Sequence, residues 1–337
     1  MTSGIRLPKA LIKRKRIMQA LQVHQANVAP EFVTIDKPTV KPGTVLVRIE
    51  SCGLNFADLL LIKGTYQETP VLPFTLGMEL AGEVVALGEG VSAHEVGSKV
   101  AVYSGQGGLA EYGVFHEHRC IRIPQGINMI NAAGFQIAYG TSHLALDYKA
   151  KLKSGETLLV LGAAGGVGLT AVELGKLMGA QVIAVASGSD KLERTKTAGA
   201  DHVIDAQTGD IRAQVKKLGG ADVVYDPVGG DQFNAAFRAC NPNGRILIIG
   251  FASGELPAIP PNHLMVKNIS VQGFNWGGYL KFNPDALTNS LRQLMMWHGQ
   301  GKLTPHISHV LPFEKAKEGL ELLRSRKSTG KVVVKIR

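Results

Sequence analysis

The sequence predicts a two-part α/β protein, a β-rich barrel-like part followed by a doubly wound parallel sheet. Three observations predict it. Residues 157–194 read as strand, glycine turn, helix and strand. Residues 157–276 continue to alternate strand and helix patterns. From residue 19 to about 122, short apolar runs instead stand between Gly and Pro punctuation. Strictly alternating patterns give a parallel sheet with crossover helices. Closely punctuated apolar runs give antiparallel strands.

In the first part, VLVRIES (45–51), GEVVALG (82–88) and SKVAVYS (98–104) read as barrel strands. Residues 131–149 read as one helix connecting the parts. The second part opens on an apolar strand (157–161), a glycine turn (162–168), a helix and a second strand (182–186). HVIDA (202–206), ADVVYDP (221–227), RILIIG (245–250) and ISVQGF (269–274) supply the later strands. Residues 287–300 are helical, and ISHVLP (307–312) and KVVVKIR (331–337) return to strand. The C-terminus is therefore expected to rejoin the first part. The expected division is a basic extension over 1–17, a β-rich domain over 18–137 and 301–337, and a nucleotide domain over 138–300.

Composition narrows the function classes. The chain has 337 residues, 45% hydrophobic and 19% charged, the balance of an ordinary globular protein with a full core. The uncharged stretch 157–172 holds four glycines and is too short for a membrane span. Cys52, Cys120 and Cys240 are widely spaced and form neither a metal cluster nor an even disulfide set, which favours a reducing, cytoplasmic setting. Of the net charge of +10, six units sit in residues 1–17, leaving +4 for the rest, too little for a dedicated nucleic-acid surface. That leader reads as an extension; a mitochondrial targeting segment is the alternative, because such segments are basic and acid-poor.

The glycine turn carries the chemistry. Ala163-x-Gly165-x-x-Gly168 is a close variant of the dinucleotide fingerprint, with Ala164, Gly166 and Val167 inside it. Glycines let the backbone approach a pyrophosphate, whose charge meets the N-terminus of the next helix. The end of the second strand selects the cofactor, and an acid there would bind the ribose 2′-OH of NAD. This chain has Ser187-Gly188-Ser189, with Lys191 and Arg194 beyond. An acid facing a 2′-phosphate would cost about 4 kcal/mol per unit charge at roughly 4 Å and a dielectric near 20. Its absence favours NADPH. Asp190 lies past the strand end and reads as a helix-start acid.

GLNFADLLLIKGTY (53–66), PFTLGMELAGEV (73–84), AAGGVG (163–168), DPVGG (226–230) and RKSTGKVVV (326–334) together resemble the zinc-independent quinone oxidoreductase branch of the medium-chain dehydrogenase/reductase superfamily. The resemblance runs over nearly the whole chain from Met18. It implies a GroES-like barrel, a Rossmann sheet and an active site in the cleft between them. Zinc-dependent relatives place ligands where this chain has Asn55, Met78 and Ala133, although Glu79 survives from the same element. Catalytic zinc takes three His, Cys or carboxylate ligands, so no metal is expected. Without a Lewis acid, hydride goes best to an acceptor that is already electrophilic, such as a quinone or an α,β-unsaturated carbonyl.

Asn55 is the first candidate for a substrate or nicotinamide contact, with a loop-capping role as the alternative. Tyr66 is a candidate proton or hydrogen-bond donor, or a packing residue. Asp58 is expected to orient the loop. By the resemblance, Thr141 reaches the nicotinamide side, Gly229, Gly250, Phe251 and Asn275 follow successive strands, and Arg326 adds a contact near the nicotinamide or its phosphate. Ala206 departs from relatives that carry Tyr near the 2′-phosphate. An enoyl-thioester reductase and a non-enzymatic NADPH-binding protein are the competing readings. By the resemblance, the last strand, at about 269–274, pairs with its twin in a second subunit, which covers an apolar edge and implies a homodimer.

Overall fold

The computed structural model describes residues 17–337. The basic leader expected over 1–17 thus lies outside the described residues, apart from Ile17. The chain divides into two compact units. The first runs up to Gly134 and takes in His309–Ser325 and Val332–Arg337; the second comprises Phe135–Ser308 and Arg326–Lys331.

The first unit is built of antiparallel strands. Thr44–Leu54 is its long central strand, paired with Glu79–Leu87, Tyr112–His116 and Lys331–Lys335. Lys99–Tyr103 and Cys120–Arg122 extend the sheet beyond Glu79–Leu87. Glu31–Asp36, Ile17–Val23 and Phe74–Thr75 form a separate smaller sheet, with an isolated bridge from Ala20 to Ala110 just ahead of Tyr112–His116. Val45, Val47 and Ile49 alternate inward against Leu80, Val84, Val100, Val102 and Phe115. Each fully buried aliphatic side chain of this kind contributes about 1.5–3 kcal/mol.

The second unit is a six-stranded parallel sheet. In chain order its strands are Thr157–Val160, Gln181–Ala186, His202–Asp205, Ala221–Asp226, Cys240–Ile248 and Ser270–Gly273. In space they run third, second, first, fourth, fifth, sixth. The order reverses between the first and fourth strands, where such sheets bind ligands at their carboxyl ends. Val182, Ile183, Ala184 and Val185 are all buried, as a strand covered on both faces requires.

Three expectations need correction. The single helix over 131–149 is three pieces: Met129–Ala133, Gln136–His143 and a wider π-type turn over Leu144–Lys149. Gly134 ends the first piece, with its N–H on Ile130 O, at the boundary between the units. The helix at 287–300 begins earlier, at Pro284, because Pro suits a first turn and the Asn283 side chain accepts from Ala286 N at 3.2 Å. Residues 301–308 and 326–331 belong with the nucleotide sheet rather than with the barrel. Their hydrogen bonds give the reason: Thr304 N donates to Glu173 Oε1 at 2.7 Å and Gly330 N to Ala164 O at 2.9 Å.

Candidate functional site

The fingerprint turn is shaped by close backbone approach. Gly162 sits at φ +55°, in the left-handed region. Ala163 N donates to Val185 O at 2.8 Å and Gly165 N to Gly162 O at 3.0 Å. A Cβ on Gly168 would lie 2.8 Å from Ala163 Cα and closer still to Gly162 O, so the helix packs against the turn through bare backbone. Helix Gly166–Leu177 is capped by Gly165 with no side-chain cap, and its first turn holds no acid. Its leading N–H groups are thus left for an anion. A pyrophosphate fits this cradle.

At the end of the second strand, Ser187 is half-buried and Gly188 adopts φ +86° ahead of helix Ser189–Thr197. Asp190 is exposed in that helix's first turn. Lys191 Nζ donates to Arg326 O at 2.9 Å, and Arg326 Nη2 donates to Ala252 O at 2.7 Å. The fold thereby gathers Lys191, Arg326 and the Phe251–Ala252 turn, although they are far apart in sequence. Arg194 does not join them by any recorded hydrogen bond among the described residues. Its Nε is buried without a partner, and its charge acts on Tyr139 and His306.

Sequence reading passed over Asp205. Its Oδ1 accepts from Gln207 N at 2.9 Å and from Gly188 N at 3.4 Å, so a carboxylate from the third strand stands at the selector turn. Its signal was the acid in HVIDA. These backbone donors partly balance its charge.

Further along the strand ends, Asp226 is buried, and its Oδ1 accepts from Val228 N at 2.7 Å and Gly229 N at 2.9 Å. Burial holds its carboxyl pKa above the usual range, against the two N–H bonds. Gly229 is held at φ +76°, where a Cβ would meet Glu255 O at 2.6 Å. Gly250 N reaches Asp226 O at 3.3 Å, and Phe251 and Asn275 are exposed. Thr141 is buried on helix Gln136–His143. Next to it, a Cβ on Gly140 would come within 2.7–2.9 Å of the Trp276 ring.

In the first unit, Asn55 caps helix Phe56–Lys63 in a reciprocal capping box with Asp58. Asn55 N donates to Asp58 Oδ2 at 2.8 Å, and Asn55 Nδ2 donates to Glu79 Oε1 at 3.0 Å. Strand register sets Gly53, Glu79 and Tyr103 side by side on three neighbouring strands. Asp58 is fully buried and accepts from the Asn55 N–H, so it holds the start of this helix and its loop. Tyr66 is half-buried; burial, and then the charges of Glu68 and Asp58, push its phenol pKa up. It therefore stays protonated at neutral pH and is a donor. Asn55, Met78 and Ala133 offer a carboxamide, a thioether and a methyl group, which do not fit the His, Cys and carboxylate set of a catalytic zinc.

Residues 166–294 match the family described as "Zinc-binding dehydrogenase", and residues 41–125 match "Alcohol dehydrogenase GroES-like domain". A quinone oxidoreductase-like protein 2 homolog of Nematostella vectensis is 42% identical over 296 residues, covering 86% of this chain and 81% of that protein. The quinone oxidoreductase of Thermus thermophilus, solved also in complex with NADPH, superposes with a TM-score of 0.85 at 32% identity, over 95% of this chain and 100% of that one. A quinone oxidoreductase of Pseudomonas syringae gives a TM-score of 0.89 at 28% identity, over 94% and 99%. With its GroES-like unit and its Rossmann sheet, the chain belongs to the medium-chain dehydrogenase/reductase superfamily, among the oxidoreductases named quinone oxidoreductase-like protein 2.

Proposed function

We propose that this protein is an NADPH-dependent, zinc-independent oxidoreductase that reduces quinones or α,β-unsaturated carbonyls. The observation that carries the proposal is the uncapped helix start at Gly165–Gly166, joined to a selector turn that has Ser187 where NAD enzymes hold an acid. Bound NADPH would supply the hydride. The turn over 162–168 would hold its pyrophosphate, and Lys191 and Arg326 its 2′-phosphate. Both cations now rest on backbone carbonyls, bonds that phosphate oxygens would replace with stronger charge-assisted ones. Thr141, Gly229, Gly250, Phe251 and Asn275 would border the nicotinamide half. Tyr66 would donate a hydrogen bond to the acceptor oxygen as negative charge develops there. Asn55 and Asp58 would hold the loop that carries it.

Sheet order supports a homodimer. Among the described residues Ser270–Gly273 is the terminal strand, paired on one side alone, and Met265 and Val266 on the helix that precedes it in sequence are strongly exposed. A cytoplasmic setting is proposed from the three free cysteines, all buried.

The test is NADPH oxidation against 1,4-benzoquinone, 9,10-phenanthrenequinone, a 2-alkenal and crotonyl-CoA, with NADH in parallel. Turnover of a quinone or the alkenal with a clear NADPH preference supports the proposal. Turnover of crotonyl-CoA alone would shift it to enoyl-thioester reduction. Tight NADPH binding without any turnover would make the chain a binding protein.

A further inference from the structure

Three elements that border the proposed cofactor site meet at one buried knot of hydroxyls. Ser142 follows Thr141 on helix Gln136–His143 and is fully buried. Its Oγ lies 2.8 Å from Val167 O, 2.8 Å from Thr170 Oγ1 and 3.0 Å from Tyr225 OH. Val167 and Thr170 belong to the fingerprint helix, and Thr170 Oγ1 also reaches back to Ala138 O at 3.0 Å. Tyr225 lies in the fourth strand and is fully buried. The next residue, Asp226, anchors the Gly229 turn.

The protons can be ordered. Among the described residues, Ser142 is the one partner recorded for the Tyr225 hydroxyl, so Tyr225 donates to Ser142 Oγ. Ser142 then donates to Val167 O, or to Thr170 Oγ1, which passes its own proton to Ala138 O. Either order runs from the sheet into one helix and ends on a backbone carbonyl of the fingerprint helix or of the Thr141 helix. No branch is left unsatisfied. The surrounding strand is Val223, Val224 and Tyr225, all fully buried. A hydroxyl in such a strand costs free energy unless it is bonded, and a phenylalanine would fill the same space without that cost.

We infer that the Tyr225–Ser142–Thr170 junction is a positioning device, which fixes Thr141 relative to the fingerprint turn and so sets the angle of the nicotinamide ring. The inference rests on the proposed NADPH site. These residues touch neither cofactor nor acceptor; they act through Thr141 and Val167. Affinity for NADPH comes mainly from the phosphate contacts, so loosening the junction changes ring placement more than binding. A misplacement of about 1 Å can cost on the order of a hundredfold in rate.

The test compares Tyr225→Phe and Thr170→Val, which delete one hydroxyl each, with Thr170→Ser, which keeps it. Time-resolved anisotropy of bound NADPH reads nicotinamide mobility without any acceptor, and titration of the same fluorescence gives Kd. Turnover with the best acceptor gives kcat, and urea unfolding gives stability. The expected result is faster local depolarisation in Tyr225→Phe and Thr170→Val, a kcat about tenfold lower, and a Kd within about twofold of the unmodified protein. Thr170→Ser should restore both anisotropy and kcat. A fall in unfolding midpoint with unchanged anisotropy and kcat would make the junction merely structural and overturn the inference. If the unmodified protein binds no NADPH, the proposed function falls and this inference with it. If it binds and turns over NADPH while Tyr225→Phe behaves identically, the inference alone falls.

Discussion

Substituting Gly168→Ala asks whether the fingerprint turn needs bare backbone at its last position. The added methyl would sit 2.8 Å from Ala163 Cα and 2.9 Å from Gly162 C, and would overlap Gly162 O. Ordinary carbon contacts lie at about 3.5–4.0 Å, so the shortfall is roughly 0.7 Å. All three neighbours are backbone atoms of the turn itself, so no side chain can swing aside. The helix must retreat from the strand, or the turn must open. Overpacking of this kind costs about 1–3 kcal/mol. Where the fold absorbs that strain, the urea midpoint falls. Where the turn opens instead, the helix N–H groups lose aim and NADPH affinity falls by about 5- to 150-fold, at about 1.4 kcal/mol per tenfold. Gly165→Ala is the control: its Cβ would lie 3.3 Å from Gly162 O, with φ at −75°. It should change affinity less than about threefold, an effect of about 0.6 kcal/mol. Urea unfolding and fluorescence titration on both variants decide the matter. Gly168→Ala matching the unmodified protein in both assays, or Gly165→Ala proving equally damaging, would refute the reasoning.

Lys191→Ala should weaken NADPH binding about tenfold and leave NADH binding unchanged, since a charge-assisted phosphate bond contributes about 1.5–3 kcal/mol at most; equal losses for both cofactors would place the 2′-phosphate elsewhere. Tyr66→Phe should lower kcat by about tenfold to a hundredfold with little change in NADPH affinity, and an unchanged kcat would remove Tyr66 from the site. Asn55→Ala should destabilise the protein by about 1 kcal/mol through the lost cap, read as a lower urea midpoint. The imidazole of His143, which bonds Ser290 Oγ at 2.8 Å, is pushed by burial below its usual pKa of 6.5, against a weaker pull upward from Asp147. The unfolded chain therefore binds the extra proton first, and stability present above about pH 6.5 is lost as pH falls through the depressed folded value. His143→Gln should flatten the dependence of Tm on pH between about 5 and 7, and an unaltered slope would assign that acid sensitivity to other groups.

The nucleotide half was legible because its signals are local. A strand, a glycine turn, a helix and a second strand follow one another within residues 157–194, and the apolar runs mark every later strand of the sheet. What was not legible depends on contacts across the chain. Ser142 meets Tyr225 across 83 positions, and nothing in either segment's pattern announces it. The segment 326–331 reads as the approach to a C-terminal strand, yet Gly330 N bonds the fingerprint turn at Ala164 O, and Arg326 receives Lys191. Lys191 and Arg194 stand one turn apart on a helix, and the charge of Arg194 also bears on Tyr139 and His306, which no sequence pattern announces. In the barrel, the spacing within the motif at 53–66 already held the capping box that Asn55 and Asp58 form.

The most direct test of the central claim is steady-state reduction of a quinone by protein dialysed against a strong chelator, with residual zinc measured on the same sample. The account predicts full NADPH-dependent turnover at negligible zinc content, no gain on adding zinc, and a kcat/KM for NADPH well above that for NADH. Activity that disappears with the metal and returns with zinc, or that runs equally well on NADH, would contradict it.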